Sequence, residues 1–403
     1  MGNRLLYRKR FLLTGGHSIL CAECLSLNST IRATKKTETD WFRPVPKKSI
    51  TAQPGEILPH FTIEDVAERA GVSKATVSRV INGNYPVSDE LRQRVESAIA
   101  ELGYQPDRAA RRLRANSSEV LGIIVPDIQN PYFTSVVRGI EDIAYENHMN
   151  VLLCNTDDDP QKQEAYLDVM RAERAAGLVL APSFGIRAEA LQQIQRAGMP
   201  IVLIDRLVPG LAIDSVLVDN VQGAYMATMH LVHLGYRRIG LIVGDQELTP
   251  GLQRYQGYRQ ALRDSSISQE AALVRIGHFK IESGCLLAKD LLQSLARPDA
   301  IFAASNLITL GVLKALRELN VRVPEDVAVI GFDDMVWATE LYSPLTTVAQ
   351  PMYEVGREAA RLLLQRKNHP TIPVRTITLQ ASLVIRESCG ARLLRGGDTS
   401  PIG

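Results

Sequence analysis

Seven short apolar runs rich in valine and isoleucine set the frame for this chain: Leu121–Val125, Val151–Cys154, Gly177–Leu180, Ile201–Ile204, Ile239–Val243, Ile301–Ala304 and Val327–Ile330. None is long enough to be a buried helix, and none alternates as a half-buried strand does. They read as strands buried on both faces of a parallel sheet, with the amphipathic stretches between them as crossover helices. A region of about 270 residues exceeds the size at which a single core usually stops growing, so 119–390 is expected to form two sheets.

Ahead of that region the texture is helical. Thr62-Ile63-Glu64-Asp65 has the form of a capping box, and Ile63, Val66, Ala67 and Ala70 mark one apolar face. Gly71 suits a tight turn, Ser73 can cap a second helix, and Val77, Val80 and Ile81 give that helix an inward face. A third helix, capped by Ser88, carries Leu91, Val95, Ala98, Ile99 and Leu102 and stops at Gly103. Such a unit is either a generic packing module or a DNA reader. The outer face of the second helix holds Lys74, Ala75, Thr76, Ser78 and Arg79, with nothing apolar larger than alanine. That face has no protein core to serve and fits the major groove.

The run TIEDVAERAGVSKATVSRVIN, Thr62 to Asn82, resembles the helix-turn-helix of the lac and galactose repressor family, and the likeness continues through VSDELRQRVESAIAELGYQPDRAARRLR. The resemblance implies that Lys74 and Ala75 choose bases and that Thr76, Ser78, Arg79 and Asn82 add base and phosphate contacts. Thr62 and Ser73 are counted with this DNA-binding set. Ala75 offers only a methyl, suited to a thymine methyl. In the family the segment equivalent to Asp107–Arg114 is a hinge helix that folds on the operator. Leu113 aligns with the residue that wedges into the minor groove, and Arg111 is placed at the phosphates beside it.

The α/β region resembles the two-lobed fold these repressors share with periplasmic sugar-binding proteins, in which ligands sit beyond the carboxyl ends of the strands. Carried over by alignment, Asp205, Arg254, Ser305 and Asp333 fall at ligand-contact positions. Tyr132, Phe133 and Phe279 fall where the family stacks on or lines the pocket, and Trp337 is expected as a further wall. Each has the alternative of a structural cap or a packed loop residue. Ser305-Asn306 departs from the common Asn-Asp of the family, which leaves the ligand class open, with a sugar or sugar derivative first.

The implied organisation is a disordered extension over 1–60, a helix-turn-helix domain over 61–105, a hinge over 106–118, a two-lobed effector-binding and dimerisation domain over 119–390 and a flexible tail over 391–403. After Met1 the next methionine is Met149, so a later start would need another codon, Leu58 being the candidate. A net charge of +2 makes any case for nucleic acid a local one. Five scattered cysteines suit a reducing compartment, and Cys21-Ala-Glu-Cys24 alone reads as a chance pair. Arg8-Lys9-Arg10 ahead of Phe11-Leu12-Leu13 imitates an export signal, but Gly15, Gly16 and Glu23 break the apolar run.

The expected protein is a cytoplasmic, dimeric transcription regulator, a repressor by resemblance, that binds a near-palindromic operator and a small-molecule effector without cofactor, metal or membrane. A solute-binding protein would leave Thr62–Arg114 unexplained. A dinucleotide enzyme would want a glycine-rich loop where Val125-Pro126-Asp127 stands. No nucleophile-base pair or metal-ligand spacing suggests catalysis.

Overall fold

The computed structural model describes residues 61–83, 86–105 and 119–391. The chain divides into two compact units at Tyr104/Gln105.

In the first unit, α1 spans Ile63–Ala70, α2 Lys74–Asn82 and α3 Asp89–Leu102. The capping box forms as its residues demand: Thr62 Oγ1 accepts from the Asp65 amide, and the Thr62 amide donates to Asp65 Oδ2 at 2.6 Å. Gly71 ends α1 at φ +64°, and a Cβ there would lie 2.7 Å from Arg94 Nη2, which itself donates to Ala70 O. Position 71 therefore admits little but glycine. Ser73 caps α2 by accepting from the Thr76 amide at 3.2 Å. Ser88 occupies the capping position of α3, but its hydroxyl makes no capping bond, so the cap expected there is positional only. Val66, Ala67, Ala70, Val77, Val95 and Ala98 form the core, with Val72 and Tyr104 added to the expected set.

The second unit begins with β1 (Val120–Val125), α4 (Pro131–Glu146), β2 (Asn150–Asn155), α5 (Pro160–Ala172), β3 (Gly177–Leu180), α6 (Ala188–Arg196), β4 (Ile201–Ile204) and β5 (Asp214–Val218). There follow α7 (Asn220–His233), β6 (Ile239–Val243), α8 (Thr249–Asp264), β7 (Val274–Ile276), α9 (Ile281–Gln293), β8 (Ala300–Ala303), α10 (Asn306–Glu318), β9 (Ala328–Phe332) and β10 (Thr346–Ala349). Last come α11 (Met352–Asn368), β11 (Thr376–Leu379) and β12 (Ser382–Val384).

Two six-stranded sheets result, ordered β2-β1-β3-β4-β5-β11 and β7-β6-β8-β9-β10-β12. All pairings are parallel except β10 with β12. Each lobe thus repeats one doubly wound order, with its reversal beside β1 in the first and beside β6 in the second.

Period-two side-chain direction explains why these strands read as continuous apolar runs. Leu121, Ile123 and Val125 enter one core with residues of α4 and α11, whereas Ile124 enters the core on the opposite face with residues of α5 and α6. In the second lobe Leu241 and Val243 face one core and Ile242 the other. β2 departs from the expectation: it is an edge strand, and Leu153 is 38% exposed.

The chain crosses between the sheets after β5, after β10 and after β11. Ala391 packs against the second-lobe core, beyond the expected end of the domain at 390. The expected extension over 1–60, the hinge over 106–118 and the remaining tail residues lie outside the described residues.

Candidate functional site

On the first unit, α2 presents Lys74, Ala75 and Arg79 exposed and Thr76 and Ser78 half-exposed, while Val77 is buried and Val80 and Ile81 pack inward. Thr62 and Ser73 act locally as caps; the Ser73 and Thr76 hydroxyls also lie 3.0 Å apart. Asn82 is the last residue of α2. Arg111 and Leu113 lie outside the described residues. Glu64, which sequence reasoning left aside, meets Lys74 Nζ through Oε1 at 2.5 Å. The lysine first, then the helix backbone, holds the Glu64 carboxyl below the usual range.

In the second unit the carboxyl ends of both sheets converge on a crevice. Asp205 directly follows β4 and Asp333 directly follows β9, the fourth strands of their lobes, and both adopt left-handed backbone, φ +63° and +73°. Aspartate tolerates that conformation better than most residues, yet it costs on the order of 1 kcal/mol or more, strain that clusters at functional positions. A small cavity of about 40 Å³ is lined by Tyr132, Phe133, Asp205, Arg254, Phe279, Ser305 and Asp333, with Asn130, Arg206, Asn306 and Gln350 among the others. It adjoins an outer chamber of about 250 Å³ through the shared walls Asn130, Phe133, Arg206 and Phe279.

Each polar group is held by named partners. Arg254, 3% exposed, donates from Nε to Asn220 Oδ1 and from Nη1 to Ala304 O, both at 2.8 Å, and its guanidinium carbon lies 3.7 Å from the centre of the Phe332 ring. Asp333 Oδ2 accepts from the Asn306 amide at 3.1 Å, and its Oδ1 accepts from Gln350 Nε2. Burial raises the Asp205 carboxyl, against the pull of Arg206 and Arg254. Burial and the neighbouring Asp205 and Asp333 raise the Tyr132 phenol well above its ordinary value. Burial lowers Arg254, opposed by Asp333 and Asp205. Arg206 serves the loop above: it donates to both oxygens of Asp158 and to Pro182 O, with Nε 3.4 Å from Asp205 Oδ2.

Ser305 lines the cavity and also caps α10, accepting from the Ile308 amide at 3.2 Å. Phe279 reaches the cavity because position 244 has no side chain; a Cβ there would stand 2.3 Å from the ring. Trp337 is not brought to the cavity. It sits in a short 3₁₀ turn, Val336–Thr339, and packs against the apolar cores of both lobes, which explains its size without a ligand. Asn220 and Gln350 were missed; Asn130, the cap before Pro131, carried a local signal as a polar residue in the segment that follows the first strand.

A larger recess of about 570 Å³ lies at the amino ends of the first-lobe strands, by Met199, Asp214 and Arg366. Its buried ion pair is already satisfied, Arg366 clasping Asp214 through bonds of 2.7 and 2.9 Å, so volume alone does not make it the effector site. The three described cysteines, Cys154, Cys285 and Cys389, are free and buried. Among the described residues no helix is long and apolar enough to cross a membrane.

Residues 62–107 match the bacterial regulatory proteins of the lacI family, and residues 228–389 match the periplasmic binding protein-like domain. The ribose operon repressor of Haemophilus influenzae is 35% identical over 328 residues, spanning 81% of this chain and 98% of that protein. Among solved structures, the transcriptional regulator CelR in complex with cellobiose is 34% identical, with a TM-score of 0.63 over 81% of this chain and 99% of its own. The lac repressor dimer bound to operator and the anti-inducer ONPF is 27% identical, with a TM-score of 0.74 over 82% of this chain and 99% of its own. A capped second helix with a polar outer face, a two-lobed α/β unit with a polar cleft and likeness to such regulators over 81% of this chain converge: the chain belongs to the lacI family of bacterial regulatory proteins, DNA-binding transcription regulators governed by small-molecule effectors.

Proposed function

We propose that this chain is a homodimeric repressor that reads a near-palindromic operator on the nucleoid and changes its hold on DNA when a sugar or sugar derivative occupies the cleft. The observation that carries the effector reading is that Asp205, Asp333 and Arg254 line one cavity with Tyr132, Phe133 and Phe279. Two carboxylates accept from neighbouring hydroxyls, a guanidinium donates to ring or hydroxyl oxygens, and aromatic faces cover the C–H side of a sugar. The contributing residues come from both lobes, so a bound ligand favours whichever lobe arrangement lets it touch both.

On the DNA side, Lys74 and Ala75 would face bases, Thr76, Ser78 and Arg79 bases and phosphates, and Arg111 and Leu113 the minor groove. A second copy is supported by the uncovered edges of the sheets: Leu153 on β2 and Ile276 on β7 are exposed, as are Tyr145 on α4, Val169 on α5 and Leu286 on α9. A two-fold dimer would set two copies of α2 about one turn of DNA apart, matching a near-palindrome.

The test is selection of genomic fragments by the purified protein at two salt concentrations, repeated with ribose and with cellobiose present. A shared near-palindrome that survives the higher salt, and whose capture one sugar changes, is expected. Unselective capture that vanishes with salt would defeat the operator reading. Capture indifferent to sugars, with no shift in melting temperature, would count against a sugar effector.

A further inference from the structure

Glu64 and Lys74 stand ten residues apart in sequence, on either side of the turn that Gly71 makes, yet their side chains meet at 2.5 Å. Both remain largely open to water, 51% and 62% exposed, so the pair belongs to the outer surface on which α2 begins. An acidic residue in the first turn of α1 suits the helix dipole, but Asp65 already fills that role through the capping box. The dipole does not explain a carboxylate held against the first side chain of the reading helix.

A carboxylate is repelled by phosphates, so on a DNA-facing surface its useful partner is a donor on a base edge. In the major groove a G·C pair offers two adjacent acceptors, guanine N7 and O6, with the cytosine N4–H donor beside them. An ammonium and a carboxylate at hydrogen-bond distance reproduce the complement of that pattern. An A·T pair sets its N6–H donor between acceptors and ends on a methyl, so the ammonium would lose an acceptor and the carboxylate would meet the thymine O4 acceptor, which repels it. We propose that Glu64 and Lys74 act as one unit that reads a single G·C base pair in each half-site, Lys74 Nζ donating to guanine and the Glu64 carboxylate accepting from cytosine. The inference rests on α2 being the DNA-reading helix. The carboxyl, held below its ordinary range chiefly by Lys74, stays an acceptor throughout the neutral range.

The experiment is selection from a random duplex library with the full-length protein and its Glu64→Gln, Glu64→Ala and Lys74→Met variants, with melting temperatures measured alongside. The parent should fix G·C at one position of each half-site. Lys74→Met and Glu64→Ala should relax that same position by about tenfold in preference, leaving the others alone. Glu64→Gln should move it toward A·T, because a carboxamide both donates and accepts and so pairs with adenine N6 and N7. Unchanged preferences at every position, a uniform weakening, or effects of Glu64 and Lys74 on different base pairs would overturn the proposal. A parent that selects no sequence would overturn the reading of α2 itself, and the pair with it.

Discussion

Asn306 donates from Nδ2 to Asn130 Oδ1 at 2.7 Å, and so ties the start of α10 in the second lobe to the start of α4 in the first. The same Asn130 oxygen accepts from the Tyr132 amide at 3.0 Å, so one carboxamide caps a helix and bridges the lobes. A second tie runs from the Leu207 amide to Thr249 Oγ1 at 3.0 Å.

Removing the first tie should loosen the lobes without unfolding them. A partly buried hydrogen bond is worth about 0.5–1.5 kcal/mol, so Asn306→Ala should shift the closed population of the effector-free protein by about two- to tenfold. Solution X-ray scattering should then record a larger radius of gyration than in the parent. An unchanged radius would mean that the bond is not limiting.

Arg254 should be expensive to lose. Replacing it by methionine leaves Asn220 Oδ1 and Ala304 O without their donor and removes a cation near both Asp205 and Asp333, leaving Asp205 with Arg206 alone. Breaking a buried charge network of this kind costs about 3–5 kcal/mol. Arg254→Met should therefore melt well below the parent and bind no effector by calorimetry; a parent-like melting temperature would refute the role given to the guanidinium.

The two kinds of aspartate in the second unit should respond to pH in opposite directions. Asp205 is raised by burial, so its ionisation opposes folding: that cost is absent below the ordinary carboxylate pKa and grows as pH rises through the raised value. Asp205→Asn, which keeps tolerance for left-handed backbone, should match the parent's stability in acid and exceed it at neutral pH, while weakening effector binding by about tenfold or more. For Asp334, burial pushes upward but Arg386 and Thr347 pull further down, so its stabilisation is present above the ordinary pKa and lost as pH falls through the lowered one. Melting curves against pH for both variants, Asp205→Asn and Asp334→Asn, would separate the two. Parallel profiles would contradict the assignment.

Ser73→Ala should cost about 1 kcal/mol through the lost cap of α2 and reduce operator affinity at every base position alike. A change confined to one position would instead show that the serine itself reads a base.

The strand-forming runs were legible where both sheet faces are apolar, as in β1, β3, β4, β6, β8 and β9. β5 escaped because it opens on Asp214, a carboxylate that can be buried only because Arg366 and the Arg375 amide bind it. β10 hides Thr346 and Thr347 in the core, their hydroxyls bonded to the Arg386 amide and to Asp334. β7, β11 and β12 are short edge strands with exposed positions, which break the pattern. At the cleft, polar residues at strand ends were readable in advance, because their chemistry is local to the turn. The Asn130–Asn306 tie and the Gln350 contact were not, because their partners meet only through the tertiary path of the chain.

That path also orders synthesis. The first sheet lacks β11, and its core lacks Val355, Ala359 and Leu363 of α11, until nearly all of the second lobe has been made. On the ribosome the first lobe must therefore wait as an unfinished half, its apolar face open to chaperones, while the later-made lobe has nearly its full sequence available. A chain cut after β10 would lose the completion of the lobe that was translated first.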